Sequence, residues 1–207
     1  MARPSNPSNV SAETSARERI VVEARKEFLA HGFRGVTMDD VARQLGMSKK
    51  TLYAIFPSKE KLLEAVILTK FAAIEADFKE VVAQSSDVRT ALQQLLACIQ
   101  RHAEEVQPSF LRDLQRQAPE TFALAVERRR ELLQRYFGKL LDRGRRTGVI
   151  RNDIPAKLVM EVLLAAVQTV VTPPKIAELG LTPNTALSSV LTVILEGVVT
   201  DKGKAKR

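Results

Sequence analysis

The sequence predicts an all-α protein built of two helical units. Apolar residues recur at the three- and four-residue spacing of amphipathic helices along almost the whole chain. No stretch alternates apolar and polar residues between turn signals, as a half-buried strand would. The 207 residues are 45% hydrophobic, which is enough to form a small domain joined to a larger one.

The composition narrows the class of protein further. A formal charge of +8 favours an anionic partner, although basic surface charge also serves solubility. The single cysteine, Cys98, excludes a disulfide within the chain and is typical of a reducing compartment. The apolar run over residues 159–171 is interrupted by Glu161 and Gln168, and the N-terminus lacks the apolar core of a signal peptide. We therefore expect a soluble cytoplasmic protein.

Nine helices are predicted between two unstructured ends. Residues 1–15 are rich in Ser, Pro and Asn, and residues 201–207 are polar and basic, so we expect both segments to be disordered. Gly32 ends the first helix, and later breaks fall at glycines or before prolines. The predicted helices span residues 17–31, 38–45, 49–56, 59–82, 88–107, 109–117, 119–146, 155–171 and 183–199.

Residues 37–63, TMDDVARQLGMSKKTLYAIFPSKEKLL, have the spacing of a helix-turn-helix. Thr37 and Asp40 match a capping box, which starts the second helix. Ala42 is small enough to let another helix approach closely, and Gly46 supplies the positive φ of a tight turn. The aliphatic Leu52 follows six residues later and returns the third helix to the same core. The sequence therefore predicts a DNA-binding motif here.

The outward face of the third helix carries the candidate DNA contacts. The N-terminal dipole of this helix is positive, which suits a groove walled by phosphates. Lys50 and Thr51 are placed to reach base edges, whereas Tyr53 and Lys59 are better placed for phosphates. A short basic helix alone is as often a solvated surface, but the cap, turn glycine and spacing together favour DNA binding. The predicted DNA-binding residues are Thr37, Ser48, Lys49, Lys50, Thr51, Tyr53 and Lys59.

The first 65 or so residues resemble the TetR family of repressors. The resemblance implies a DNA-binding head of three helices over residues 16–62, a larger helical ligand-binding and dimerisation domain over 63–200, and a homodimer. Ala54 and Ile55 depart from the residues often found at their positions. The matching residues are Phe28, the segment HGFRGVT at 31–37, Val41, Ala42, Gly46, Ser48, Thr51, Leu52, Tyr53, Phe56, Lys59 and Glu60, with a weaker likeness over 140–155.

The last two predicted helices, 155–171 and 183–199, have apolar faces broader than one small core needs. Pairing them with their symmetry copies in a four-helix bundle would bury both faces between two subunits. The alternative is that these faces belong to the core of one subunit. The apolar residues concerned are Leu158, Val159, Val162, Leu163, Ala166, Val170, Leu187, Val190, Leu191, Ile194, Leu195 and Val198.

The resemblance also implies a ligand cavity between the long linking helix and two central helices. His102 follows Cys98 by four residues, so the two share a helix face. His102 is a candidate ligand anchor, or a packed core histidine; a metal or thiol site would need further ligands, so no metal or cofactor is predicted. The candidate lining residues are Phe71, Phe78, Gln94, Cys98, His102, Phe110, Phe122 and Tyr136, which favour an apolar or amphipathic effector of unknown identity.

Together these features predict a repressor that binds a palindromic operator and is released from it by a small-molecule effector. Two other functions remain open. An architectural DNA-binding protein without an effector would have a closed, fully packed body. An enzyme would need catalytic groups, yet the sequence has no phosphate-binding glycine loop and no zinc-ligand pattern, so we expect no catalytic activity. The charged run at residues 127–131, ERRRE, is interpreted as a solvated helix face.

Overall fold

A computed structural model describes the backbone of residues 7–199 and the side chains of residues 15–199. Within these residues the chain is helical, with one isolated antiparallel bridge between Ile150 and Val199, so the all-α prediction is confirmed. The helices are α1 (Pro7–Gly35), α2 (Met38–Gln44), α3 (Lys49–Ile55), α4 (Lys59–Gln84), α5 (Val88–Glu104), α6 (Pro108–Gln117), α7 (Pro119–Arg146), α8 (Ala156–Val170), α9 (Pro173–Glu178) and α10 (Pro183–Val198).

The first helix starts earlier than the sequence predicts. It begins at Pro7, so residues 7–15 are helical and do not form an unstructured tail. Proline is tolerated in the first helical turn, where its missing N–H has no partner to lose, and no glycine or proline interrupts residues 8–15. Gly32 breaks the helix as expected, with φ 76° and ψ 158°. The predictions for residues 1–6 and 201–207 lie outside the described part of the chain.

A short helix, α9, is absent from the predicted set. The pair Pro173 and Pro174 was expected to separate two helices, but both prolines sit in the first turn of α9, where they are compatible with a helix. Thr172 precedes them in extended conformation as the N-cap residue. All nine predicted helices are present, and apart from the start of α1 and the short turn after Gly32, their ends differ from the predicted bounds by at most three residues.

The buried apolar side chains form two clusters, which we call the head core and the body core. The head core joins α1, α2, α3 and the first half of α4, where it extends past Leu62 to Ile67. It also includes Phe110 and Leu114 of α6, a helix that packs on α1. The body core joins the later part of α4, from Phe78 onward, to α5, α7, α8 and α10. Helices α4 and α6 therefore connect the two units.

Candidate DNA-binding surface and ligand cavity

Helices α2 and α3 form the predicted helix-turn-helix. The backbone N–H of Thr37 donates to Asp40 Oδ2 at 2.9 Å, and the backbone N–H of Asp40 donates to Thr37 Oγ1 at 3.2 Å, which completes the capping box. Gly46 has φ 62° in the turn, a conformation that favours glycine. Ala42 and Leu52 are buried in the head core. These contacts fix α3 against α2 and hold its opposite face outward.

Lys50 and Tyr53 of α3 are exposed and have no polar partner among the described residues. Lys50 is exposed, and among the described residues it has no hydrogen-bond or ion-pair partner. Tyr53 is 46% exposed, and its hydroxyl has no hydrogen-bond partner among the described residues. Lys49, in contrast, already forms an ion pair with Asp39 of α2. Lys50 and Tyr53 are therefore the strongest candidates for base and backbone contacts.

Ser48 and Thr51 shape the start of α3. The Ser48 hydroxyl accepts a hydrogen bond from the Thr51 backbone N–H at 3.1 Å, as an N-cap residue does. The two hydroxyl oxygens also lie 2.8 Å apart. Both side chains are exposed, so they can contact a phosphate while they cap the helix.

Lys59, at the start of α4, is half-buried and belongs partly to the packing of the head. Its Nζ lies 4.2 Å from the centre of the Phe33 ring, which is a cation–π contact. Burial lowers the pKa of Lys59, and the nearby carboxylates of Glu60, Asp113 and Asp40 oppose that effect. Its assignment to a DNA phosphate stays a prediction.

A second cation beside α3 was missed by the sequence analysis. The exposed Arg17 of α1 places its guanidinium carbon 4.3 Å from the centre of the Phe56 ring, at the C-terminal end of α3. No local pattern marks Arg17, because its position depends on how α1 packs across the motif. It adds a positive charge at the C-terminal end of α3.

The body contains an apolar cavity of about 160 Å³. Its wall is formed mainly by α4, α5, α6 and α7, and Val171, Pro183 and Leu187 close one side. Four phenylalanines contribute aromatic surface. Three lining residues carry a charged or ionisable group: Lys70, His102 and Arg129.

Five of the eight predicted lining residues lie at this cavity, and three do not. Those at the cavity are Phe71, Phe78, His102, Phe110 and Phe122.

The other three are turned to different surroundings. Gln94 is exposed and accepts a hydrogen bond from Ser85 Oγ at 2.7 Å. Cys98 is buried beside Asp77, and Tyr136 stacks edge-on against Phe78 with ring centres 5.4 Å apart. Their predicted place at the cavity wall is therefore corrected: they share helices with lining residues but face other neighbours.

Two of the three ionisable groups at the cavity have partners inside the protein. His102 Nε2 lies 2.8 Å from Asp77 Oδ2. Lys70 Nζ donates to Glu105 Oε2 at 3.0 Å and to the His102 carbonyl oxygen at 2.9 Å. Burial lowers the pKa of Lys70, whereas the Glu105 carboxylate acts to raise it. Glu105 also forms an ion pair with Arg25 of α1, so this network joins the cavity wall to the head.

Arg129 is the third, and it differs from the other two. Among the described residues it has no hydrogen-bond or ion-pair partner, and its side chain lines the cavity. Burial lowers the pKa of Arg129 to about 10. Residues 127–131 were expected to form a solvated face; this is wrong for Arg129, which is only partly exposed and lines the cavity.

Asp77, Cys98 and His102 form the one group of three potential metal ligands found in the described part of the chain. Their ligand atoms lie within 4.8 Å of one another. Burial, followed by the Asp77 charge, raises the pKa of the Cys98 thiol to about 11. A metal-bound cysteine is a thiolate, so a metal here would have to displace the thiol proton. Hydrogen bonding between Asp77, His102 and Arg101 accounts for the cluster.

The broad apolar faces of α8 and α10 divide into an inner and an outer part. Leu163 and Leu191 are buried in the body core of a single subunit. Leu158 and Val162 of α8 are half-exposed, and Val193 of α10 is 73% exposed. We call these three residues the outer apolar face.

The described helices include none that is long and apolar enough to cross a membrane.

Comparison with known proteins places these features in a family. Residues 20–66 match the model of the bacterial regulatory proteins, tetR family. The HTH-type transcriptional regulator YvaF of Bacillus subtilis (strain 168) is 27% identical over 188 residues, which cover 89% of this chain and 96% of YvaF. The HTH-type transcriptional repressor KstR2 of Rhodococcus jostii (strain RHA1) is 25% identical over 165 residues, which cover 77% of this chain and 80% of KstR2.

Solved structures share the fold. The TetR family transcriptional regulator PfmR from Thermus thermophilus aligns with a TM-score of 0.59 at 23% identity, covering 86% of this chain and 97% of PfmR. A transcriptional regulator from Cytophaga hutchinsonii ATCC 33406 aligns with a TM-score of 0.67 at 22% identity, covering 88% and 98%. The fold class of a helix-turn-helix head on a larger helical body is thus confirmed. Residues 20–66 thus match the family model, and the chain as a whole is similar to transcriptional regulators of the TetR family.

Proposed function

We propose that the protein is a dimeric repressor that leaves a palindromic operator when a small apolar or amphipathic molecule occupies the body cavity. One observation carries the proposal: two of the helices that form the cavity wall, α4 and α6, also contribute to the head core. The description of KstR2 of Rhodococcus jostii as a repressor supports the sign of regulation. Action on operator DNA also implies a cytoplasmic location.

DNA binding would use α3 as the recognition helix. In a twofold dimer two such helices enter successive major grooves about 34 to 36 Å apart. Lys50 would read base edges, and Tyr53 and Lys59 would hold the phosphate backbone. Dimerisation would use α8 and α10, because the outer apolar face is the surface of these helices that the subunit itself leaves uncovered.

Release from DNA would depend on α6. Phe110 and Leu114 line the cavity and belong to the head core at the same time. Between them on α6, Asp113 accepts a hydrogen bond of 3.1 Å from the backbone N–H of Arg34 in the head. A molecule that displaces α6 would therefore tilt the head and change the separation of the two recognition helices. Such couplings between sites are typically about 1 to 3 kcal/mol.

The alternatives that the sequence left open are less well supported. A closed, fully packed body would favour an architectural protein without an effector, whereas this body has a cavity. An enzyme would need a nucleophile or a free acid or base at the cavity. The lining residues include no Ser, Cys, Asp or Glu, and His102 and Lys70 are held by carboxylates.

Selection of duplex DNA from a random library by the full-length protein tests the proposal. We expect an inverted repeat whose half-sites are about one helical turn apart or slightly more. Lys79→Ala is a matched control for variants of the head, since Lys79 is an exposed lysine of α4 in the body. Recovery of asymmetric or single-stranded sites would contradict a twofold dimer on duplex DNA.

A further inference from the structure

We infer that the effector carries an anionic oxygen group, a carboxylate or a phosphate, that pairs with Arg129 while its apolar part lies among the phenylalanines of the cavity. This inference rests on the proposed function in one respect, namely that the cavity holds an effector. It narrows the predicted class of molecule from any apolar or amphipathic compound to amphipathic anions.

The ionisable groups at the cavity wall are not all paired. Lys70 is neutralised by Glu105, and His102 is paired with Asp77. Arg129 has no such partner among the described residues. Burial removes part of the hydration of the Arg129 guanidinium, and a partner of opposite charge would compensate for that loss. A ligand oxyanion would supply the missing partner.

The immediate neighbours of Arg129 on α7 show that its orientation is specific. Arg128 and Arg130 are exposed and form ion pairs with Glu131 and Glu127, respectively. Both carboxylates of the charged run are therefore engaged at the surface. Arg129 alone of the three arginines lines the cavity. It keeps its charge at pH 7, since burial lowers its pKa only to about 10.

Chemistry also favours an oxyanion over a neutral polar group. A guanidinium presents a planar set of donors that matches the two oxygens of a carboxylate or phosphate. The rest of the wall offers hydrocarbon and aromatic surface, which suits an alkyl chain or a ring. A volume of about 160 Å³ favours a small molecule, so octanoate is a suitable probe.

Calorimetry with the full-length protein tests the inference with four probes of equal chain length: octanoate, octyl phosphate, 1-octanol and octylamine. We expect one or both anions to bind about tenfold or more tightly than 1-octanol, and octylamine to bind least. The comparison of octanoate with octyl phosphate distinguishes the two oxyanions. Arg129→Gln should weaken binding of the preferred anion about tenfold to a hundredfold and leave 1-octanol unchanged.

Arg130→Gln is the matched control, because it removes the same charge from the exposed side of α7 and should leave anion affinity unchanged. Arg129→Lys should retain part of the affinity. Thermal melting checks that each variant is folded, and the comparison of probes on the unaltered protein needs no variant at all. Equal affinity for octanoate, octyl phosphate and 1-octanol, or no binding by any of them, would overturn the inference.

One further outcome identifies a different partner for Arg129. If Arg129→Gln converts a dimer to a monomer in sedimentation, a carboxylate of the second subunit pairs with it, and the inference is wrong. Selection of duplex DNA by the protein without any added probe tests the proposed function independently of the anion site. A protein that fails to bind an inverted repeat but binds octanoate through Arg129 would refute the repressor proposal and retain the anion site.

Discussion

The backbone N–H of Arg34 donates a 3.1 Å hydrogen bond to the Asp113 carboxylate, and this bond joins the segment before α2 to α6 of the body. Asp113 lies between Phe110 and Leu114, whose side chains reach the cavity. Gly32 completes the contact, since a Cβ at this position would lie 2.9 Å from Asp113 Oδ2. This hydrogen bond therefore ties α6 to the entrance of the helix-turn-helix.

Asp113→Ala should weaken the response to a ligand more than it weakens DNA binding. The substitution removes the hydrogen bond to Arg34 without changing α3 or the cavity lining. We expect the ratio of operator affinities without and with octanoate, typically about 5-fold to 150-fold for coupled sites, to fall toward one. By linkage, operator DNA should then also lose its effect on octanoate affinity. Arg116→Ala, at an exposed site on the same helix, should leave the ratio unchanged.

Gly32→Ala should destabilise the fold by about 1 to 3 kcal/mol. Gly32 has φ +76°, which disfavours any side chain, and the added Cβ would press on Asp113 Oδ2. Urea denaturation measures the loss in free energy of unfolding. Gly35→Ala is the control, because a Cβ there would meet no atom within 4 Å. Equal effects of the two substitutions would contradict this account of the turn.

Lys50→Ala and Tyr53→Phe should alter DNA binding in different ways. Lys50 is free to reach bases, so its loss should change the preferred sequence. Loss of the Tyr53 hydroxyl should weaken binding to all sequences alike, because phosphate contacts carry no sequence information. Repeating the selection with each variant, and with Lys79→Ala, measures both effects. The same shift in preference for Lys50→Ala and Tyr53→Phe would refute this division of roles.

Val193→Asp should convert a dimer to a monomer without unfolding the subunit. Val193 is 73% exposed in the single chain, so the isolated subunit should tolerate an aspartate there. In the proposed dimer the apolar face of the second subunit would bury that aspartate without a partner, which disfavours association. Sedimentation reports the mass, and circular dichroism reports the fold. Leu179→Asp, another exposed apolar position, should leave the mass unchanged. Leu191 is unsuitable for this test, since it is fully buried in its own subunit and its substitution would disrupt the body core. If the Val193→Asp protein is folded and still dimeric, the outer apolar face is not the dimer interface.

Cys98 should react slowly with a disulfide reagent such as DTNB. Burial raises the pKa of its thiol from 9.0 to about 11, which lowers the thiolate fraction near pH 8 about a hundredfold, and burial also blocks access. The reaction should become fast in guanidinium chloride. The same shift makes stability fall as pH rises from about 9 toward 11, because the unfolded chain releases the thiol proton first. Equally fast reaction in the native state would indicate a reactive thiol.

Features that depend on residues near one another in the chain could be predicted from the amino-acid sequence. The capping box of Thr37 and Asp40 and the turn at Gly46 involve neighbours within a few positions, so they were predicted correctly. The helix ends followed from the same local chemistry, with two exceptions. The polar composition of residues 1–15 predicted disorder where α1 begins at Pro7, and the pair Pro173 and Pro174 predicted a break where α9 begins.

Which neighbour covers each helix face depends on how the helices pack together, and this could not be predicted from the sequence. Periodicity shows that α7 has an apolar side, but it does not show that Arg129 faces a cavity while Arg128 and Arg130 face water. For the same reason Cys98 and Tyr136 were placed at the wrong surface. The attachment of α6 to the head through Asp113 depends on residues 79 positions apart, and no local pattern records such a contact. Helical spacing fixes the direction of a side chain relative to its own helix, whereas the packing of helices fixes what that side chain meets.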